Sequence, residues 1–244
     1  MNSVNRRKIM KKIGIIGAMD EEINMLKEEM EGVNITDIAS MSFYEGRLMG
    51  APLVVVRSGI GKVNAAICTQ ILVDRYGVDL VINTGVAGSL RNEIDIADIV
   101  LSTDALQHDM DATGFGYELG VIPRMELSVF QADRNLIEMA KSVCKELLPS
   151  VGVHTGRVVS GDQFISDSGK KEWLIKTFNG YCTEMEGAAI AQAAYLNHIP
   201  FLIIRAISDK ADNSAEMAYS EFEAIAIKNT HILLTGLIKK INNL

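Results

Sequence analysis

No stretch of this sequence is apolar for long enough to cross a membrane. The first apolar run, Ile13 to Met19, follows a polar, basic start and is too short for a spanning helix or for the core of a secretory signal. Cysteine is scarce and odd in number: Cys68, Cys144 and Cys182 stand far apart in apolar segments. That spacing excludes a disulfide scaffold and a zinc site, and it reads as reduced, buried thiols of a cytoplasmic protein. Basic charge is in deficit. Lys+Arg 24 against Asp+Glu 31 leaves a net charge of -7, which repels a phosphate backbone and argues against nucleic acid as a partner. Also missing are Pro, Gly or Ser-rich linkers, charge blocks and internal repeats. With 244 residues, 48% of them hydrophobic and 23% charged, the chain can bury a core and is too apolar for disorder. Residues 11–244 are therefore expected to form one domain behind an N-terminal extension, 1–10, with Met10 a candidate start.

What is present is an alternation of short apolar runs with amphipathic stretches. Ile13 to Ile16, Leu53 to Val56, Leu80 to Ile82, Ile99 to Leu101, Val158 to Val159 and Phe201 to Ile204 are rich in β-branched residues and read as buried strands. Helices are expected between them, with Val63, Ile67 and Ile71 in one and Phe222, Ile225, Ile232 and Leu237 on a face of the last. Ser42 to Met49, turning at Gly50-Ala51-Pro52 into Leu53 to Val56, predicts a hairpin. The fold class is α/β with a mixed central sheet flanked by helices.

In open α/β sheets ligands bind beyond the carboxyl ends of the strands, so the residues after each apolar run carry the information. They are Gly17 to Glu22, Ser58 to Lys62, Asn83 to Gly88, Ser160 to Ile165, Glu184 to Gly187 and Arg205 to Asp209, read here as loops around one crevice. Phosphate motifs fail when tested residue by residue. Gly14 and Gly17 lack the third glycine of a dinucleotide fingerprint, and Gly59-Ile60-Gly61-Lys62 lacks both the earlier glycine and the following Ser or Thr of a P-loop. Three carboxylates stand out, Glu22, Glu186 and Asp209, each just past an expected strand and so placed to converge. Cleaving a glycosidic bond calls for a proton donor on the leaving group, a base for water and stabilisation of a cationic sugar, which is work for three acids.

Gly14-Ile15-Ile16-Gly17-Ala18-Met19 with Glu22, Ser58 to Val63, Glu184-Met185-Glu186 and Arg205 to Asp209 resemble the bacterial methylthioadenosine/S-adenosylhomocysteine nucleosidases. The resemblance extends to His108-Asp109-Met110-Asp111-Ala112-Thr113, Phe115 to Glu118, Val159 to Asp162 and Phe164-Ile165, and runs from about Lys11 to the C-terminus. It implies a three-layer nucleoside phosphorylase-like fold and hydrolysis of 5'-thio-substituted adenosines, and by extension 5'-deoxyadenosine, to adenine and the free sugar, without metal or other cofactor. It further implies that Asp209 supplies the proton at purine N7, that Phe164 stacks on the base and that the Ile165 backbone reads its edge. By the same pattern Glu186 accepts the ribose hydroxyls, Met185 packs on the sugar, and Glu22 activates water with Arg205 nearby. Met19, Ile60 and Tyr219 line the sugar and thioether side, while Val86, Gly88, Glu184 and Ser208 complete the binding set. Phe115 and Pro123 reach into a neighbouring subunit's 5' pocket, which implies a homodimer. Val86 stands where relatives commonly carry serine, Tyr219 where phenylalanine is usual, and Gly187 where alanine is usual.

Plainer readings stand beside these. Glu186 would favour the N-terminus of the helix that follows, Asp209 would cap a turn with Asp212, and Arg205 would pair with Glu184 instead of positioning water. His108, Asp109 and Asp111 form no ligand set and read as a hydrogen-bonded loop. The rival activities are phosphorolysis, which needs a cationic phosphate site, futalosine-type hydrolysis, and nucleoside binding without turnover.

Overall fold

The computed structural model describes residues 11–212 and 215–243, and of residues 216–221 the backbone alone. The extension 1–10 and Met10 lie outside the described residues. The apolar runs form strands β1 (Ile13–Gly17), β4 (Ala51–Arg57), β5 (Leu80–Ser89), β6 (Ile99–Gln107), β8 (Val153–Ser160) and β10 (Phe201–Asp209). Added to these are β2 (Glu31–Ile38), β3 (Met41–Leu48), β7 (Phe130–Gln131) and β9 (Cys182–Glu184), none of which is an uninterrupted apolar run. The helices are α1 (Asn24–Glu29), α2 (Lys62–Tyr76), α3 (Arg134–Leu147), α4 (Ser168–Phe178), α5 (Gly187–Leu196) and α6 (Ala215–Asn242). Asp133 and Asp167 cap α3 and α4 by accepting the N–H of Leu136 and Lys170.

One mixed sheet joins the strands in the order β10-β6-β8-β9-β5-β1-β4-β3-β2. The hairpin expected around Gly50 is the antiparallel β3–β4 pair. Alternation along β1 and β4 covers both faces. Ile13, Ile15, Leu53 and Val55 pack in one cluster with Leu233, Leu234 and Leu237 of α6, while Ile16, Val54 and Val56 pack in another with Ala65, Cys68 and Leu72 of α2. Among the described residues no helix is long and apolar enough to cross a membrane.

One reading of the sequence is corrected. Asn83 to Gly88 and Arg205 to Asp209 are not loops: β10 pairs with β5 in parallel well beyond their apolar halves, from Phe201↔Val81 to Asp209↔Gly88. Because β10 also pairs with β6, the strands β5, β9, β8, β6 and β10 close on themselves, and the polar ends of β5 and β10 stay in the ladder. Val63, Ile67 and Ile71 lie in a helix as expected, but that helix does not bury the first two. Val63 and Ile67 are 70% and 43% exposed, whereas Ala65, Cys68, Thr69 and Leu72 make the buried face of α2. In α6 Ile225 likewise points outward, and the burial runs through Ala226, Ile227, Thr230, Leu233, Leu234 and Leu237.

Leu234, fully buried between α6 and the sheet, sets a stability prediction. Leu234→Ala should lower unfolding free energy by about 2–5 kcal/mol in urea titrations. Ile35→Thr on the exposed strand β2 should shift it by no more than about 0.5 kcal/mol.

Candidate active site

Six segments end around a cavity of about 230 Å³ lined by Ala18, Met19, Glu22, Ile60, Val86, Ala87, Gly88, Phe164, Thr183, Glu184, Met185, Glu186, Ser208 and Asp209. Ile165 lines a smaller recess beside it, shared with Phe164 and Asp209. A wider groove of about 500 Å³ between Gln131–Asn135 and Tyr195–Phe201 contains none of these side chains.

Behind the cavity lies Arg205, with no exposure to solvent. Its Nη2 donates to Asn83 Oδ1 at 2.6 Å and to the carboxylate of Glu184, and it stands 3.7 Å from Glu186 Oε2. Burial alone would lower the Arg205 pKa, but Glu184, Glu186 and Glu22 outweigh that and raise it, so the guanidinium stays charged. Of the two readings of Arg205, direct contact favours the pair with Glu184. Glu184 is saturated: it also accepts from Ser160 Oγ and from the N–H groups of Glu186 and Gly187 at 3.1 and 2.7 Å. The start of α5 is thus capped by Glu184, and Glu186 makes no side-chain cap bond there. Its carboxylate instead accepts the Gly61 N–H at 2.9 Å and lines the cavity.

Glu22 is held by backbone donors on two strands' ends. Oε2 accepts from Ala18 and Met19 at 2.6 and 3.0 Å, and Oε1 from Val86 at 3.2 Å. Gly85 makes this possible, because a Cβ there would strike both Glu22 Oε1 and Arg205 Nη1. Asp209 uses one oxygen on the Ala211 N–H at 2.7 Å and the other on the Ser208 hydroxyl at 2.8 Å. Gly88 leaves room for it, since a Cβ at 88 would lie 2.8 Å from Asp209 Oδ1.

Burial raises the pKa of Glu22, Glu186 and Asp209. For Glu22 desolvation prevails over Arg205 and the N–H groups of Met19, Ala18 and Val86. For Asp209 it prevails over the Ala211 and Ser208 donors and Lys171, with Asp212 adding to the rise. Glu186 is pushed up to about 7 by burial and the charge of Glu184, against the pull of Arg205 and the Gly61 N–H. Glu186 so poised exchanges a proton near neutrality, and Glu22 and Asp209 are shifted in the same direction, the one a proton donor needs.

The cavity therefore gathers Met19, Glu22, Ile60, Val86, Gly88, Phe164, Glu184, Met185, Glu186, Ser208 and Asp209, with Ile165 beside it and Arg205 behind. It does not gather Phe115, which is 87% exposed, or Pro123, and the side chain of Tyr219 lies outside the described residues. Sequence reasoning missed Asn83, Ser160 and Thr183 as site residues. Asn83 and Ser160 serve Arg205 and Glu184 across strands, and no local pattern marks them. Among the described residues no His, Cys, Asp and Glu cluster is arranged to hold a metal.

Residues 12–239 match the phosphorylase superfamily. A 5'-methylthioadenosine/S-adenosylhomocysteine nucleosidase of an Exiguobacterium species is 43% identical over 94% of this chain and 98% of its own. The Neisseria meningitidis nucleosidase of that name, solved in complex with methylthio-immucillin-A, is 39% identical with a TM-score of 0.91, covering 95% of this chain and 100% of the other. The futalosine hydrolase of Helicobacter pylori is 31% identical with a TM-score of 0.90, covering 95% and 99%. Within that superfamily the chain belongs to the 5'-methylthioadenosine/S-adenosylhomocysteine nucleosidase family.

An ionised, buried Glu186 strains the native state. Its pKa rises from 4.5 to about 7 on folding, so the cost is absent below the lower value and complete above the higher. Glu186→Gln should raise the melting temperature at pH 8, where about 3 kcal/mol is at stake, and the gain should shrink toward pH 5.

Proposed function

We propose that the chain hydrolyses the N-glycosidic bond of 5'-methylthioadenosine and S-adenosylhomocysteine, releasing adenine and the thio-substituted ribose. The observation that carries this reading is the convergence of Glu22, Glu186 and Asp209 on a cavity whose remaining lining is mostly apolar and includes no Lys or Arg. A phosphate nucleophile would meet carboxylates there, and Arg205 is already engaged with Glu184. Water is the nucleophile such a site accepts.

In this mechanism the half-exposed ring of Phe164 stacks on the purine and the Ile165 backbone reads its edge. Asp209, its pKa raised, gives its proton to purine N7 as the C1'–N9 bond breaks and the electron pair leaves with adenine. Glu22 takes a proton from water as its oxygen bonds to C1'. Ionised Glu186 accepts the ribose hydroxyls, and these charge-assisted bonds strengthen as positive charge grows on the sugar. Met185 packs on the sugar, and Met19 and Ile60 give the 5' thioether an apolar wall, which favours a thioether over the polar tail of a futalosine-type substrate.

A second copy of the chain completes the 5' side. Phe115 at 87%, Val63 at 70%, Ile60 at 54% and Ile67 at 43% exposure are apolar side chains that a homodimer would cover, with Phe115 and Pro123 reaching the partner's pocket. The free, buried Cys68, Cys144 and Cys182 suit the reducing cytoplasm, where by-products of S-adenosylmethionine arise.

Asp209→Asn tests the chemistry. The kcat for methylthioadenosine should fall at least about a hundredfold while calorimetry shows affinity for the substrate largely kept. Undiminished turnover would remove Asp209 from the mechanism. For the dimer, light scattering should give twice the 26.7 kDa chain mass, and Phe115→Ala should raise KM more than it lowers kcat.

A further inference from the structure

The loops that follow β4, β6 and β8 are tied into a ring by groups that the mechanism above leaves without a role. Lys62 Nζ donates to Asp109 Oδ1 at 2.6 Å and to Gln107 Oε1 at 2.9 Å. The other Asp109 oxygen accepts the Asp162 N–H at 2.9 Å, and Asp162 Oδ1 accepts the Lys62 N–H at 2.8 Å, which closes the ring. Lys62 and Asp109 side chains are only 17% and 18% exposed, so the pair is shielded well beyond an ordinary surface ion pair.

Two neighbouring amides give this ring its reach. Gly61 N–H holds Glu186 Oε1, while the next amide, Lys62 N–H, holds Asp162, two residues before Phe164. Two successive peptide units therefore span from the carboxylate facing the sugar to the loop facing the base. Gly61 sits at φ 98 and its absent Cβ would lie 3.1 Å from Asp162 Oδ1, so the approach is close. Asp109 also opens the segment leading to Phe115. The Asp109 carboxyl, although burial works the other way, lies below the usual range because of the Lys62 ammonium and the Asp162 N–H.

We propose that Lys62 is a positioning residue: pinned by Asp109 and Asp162, it locks the Gly61 amide that steadies Glu186 to the loop that carries Phe164, so that sugar and purine are gripped in one register. The proposal rests on the reading of Glu186 as the ribose acceptor and Phe164 as the stacking ring. A clasp that only stabilised loops would lower the melting temperature and leave substrate binding alone. A positioning clasp couples energetically to Glu186.

The test is steady-state kinetics of adenine release from methylthioadenosine for wild type, Lys62→Met, Lys62→Arg, Asp109→Asn, Glu186→Gln and the Lys62→Met/Glu186→Gln double variant. Lys62→Met should raise KM about tenfold with kcat changed less than about threefold, and Lys62→Arg should recover most of the loss. Glu186→Gln should cost about fivefold less in kcat/KM when Lys62 is already methionine than in the wild type. If Lys62→Met does not fold, Asp109→Asn, which keeps the shape and removes the charge, decides by the same KM. Wild-type KM in a folded Lys62→Met or Asp109→Asn, or strict additivity with Glu186→Gln, overturns the clasp while leaving the nucleosidase reading standing. Absence of adenine release by the wild type overturns that reading and the clasp's role together.

Discussion

A guanidinium with no exposure to solvent governs this structure. Arg205 is buried in the middle of β10, and desolvating it costs several kcal/mol unless carboxylates stand beside it. Glu184 meets that demand by direct contact, and Glu186 and Glu22 add their fields. The pairing requires β10 and β9 to present their ends to one place. They do so because β5 is shared, hydrogen-bonding to β10 over its polar half and to β9 at Gly88 and Ser89. Removing either partner would leave an uncompensated charge in the core, so the sheet closure and the ion pair hold each other in place.

The same burial raises the pKa of the cavity acids Glu22, Glu186 and Asp209. Arg205 keeps Glu184 occupied, and the carboxylates left facing the cavity sit in surroundings that favour their protonated forms. Such a cavity is unfavourable to the fold and favourable to acid–base chemistry, the usual trade between stability and activity. Backbone donors then aim each acid: Ala18, Met19 and Val86 for Glu22, Gly61 for Glu186, Ala211 for Asp209. With Val86 offering only its N–H to Glu22, no hydroxyl at position 86 takes part.

Much of this is legible in the sequence. Strands with buried β-branched runs, such as Leu53 to Val56 and Phe201 to Ile204, announce themselves because both faces of the sheet are covered. Glu22, Glu186 and Asp209 stand out because each falls just past an apolar run, where the sheet's ligands gather. What stays hidden is long-range. The polar halves of β5 and β10 look like loops until pairing partners supply their hydrogen bonds. The outward apolar stripe of α2 mimics a buried one, since periodicity reveals a face without saying what covers it. Glu184, the residue that settles Arg205, has the same local signature as Glu186 two positions on. Only the third dimension separates the carboxylate held by Arg205 from the one that accepts the Gly61 N–H.

We propose that a cavity lined by carboxylates and by no Lys or Arg makes water the nucleophile. Chromatographic product analysis tests it most directly, with purified protein incubated with methylthioadenosine in phosphate-free and phosphate-rich buffer. Adenine and the free thioribose should appear at equal rates in both. A sugar 1-phosphate formed only when phosphate is present would contradict it.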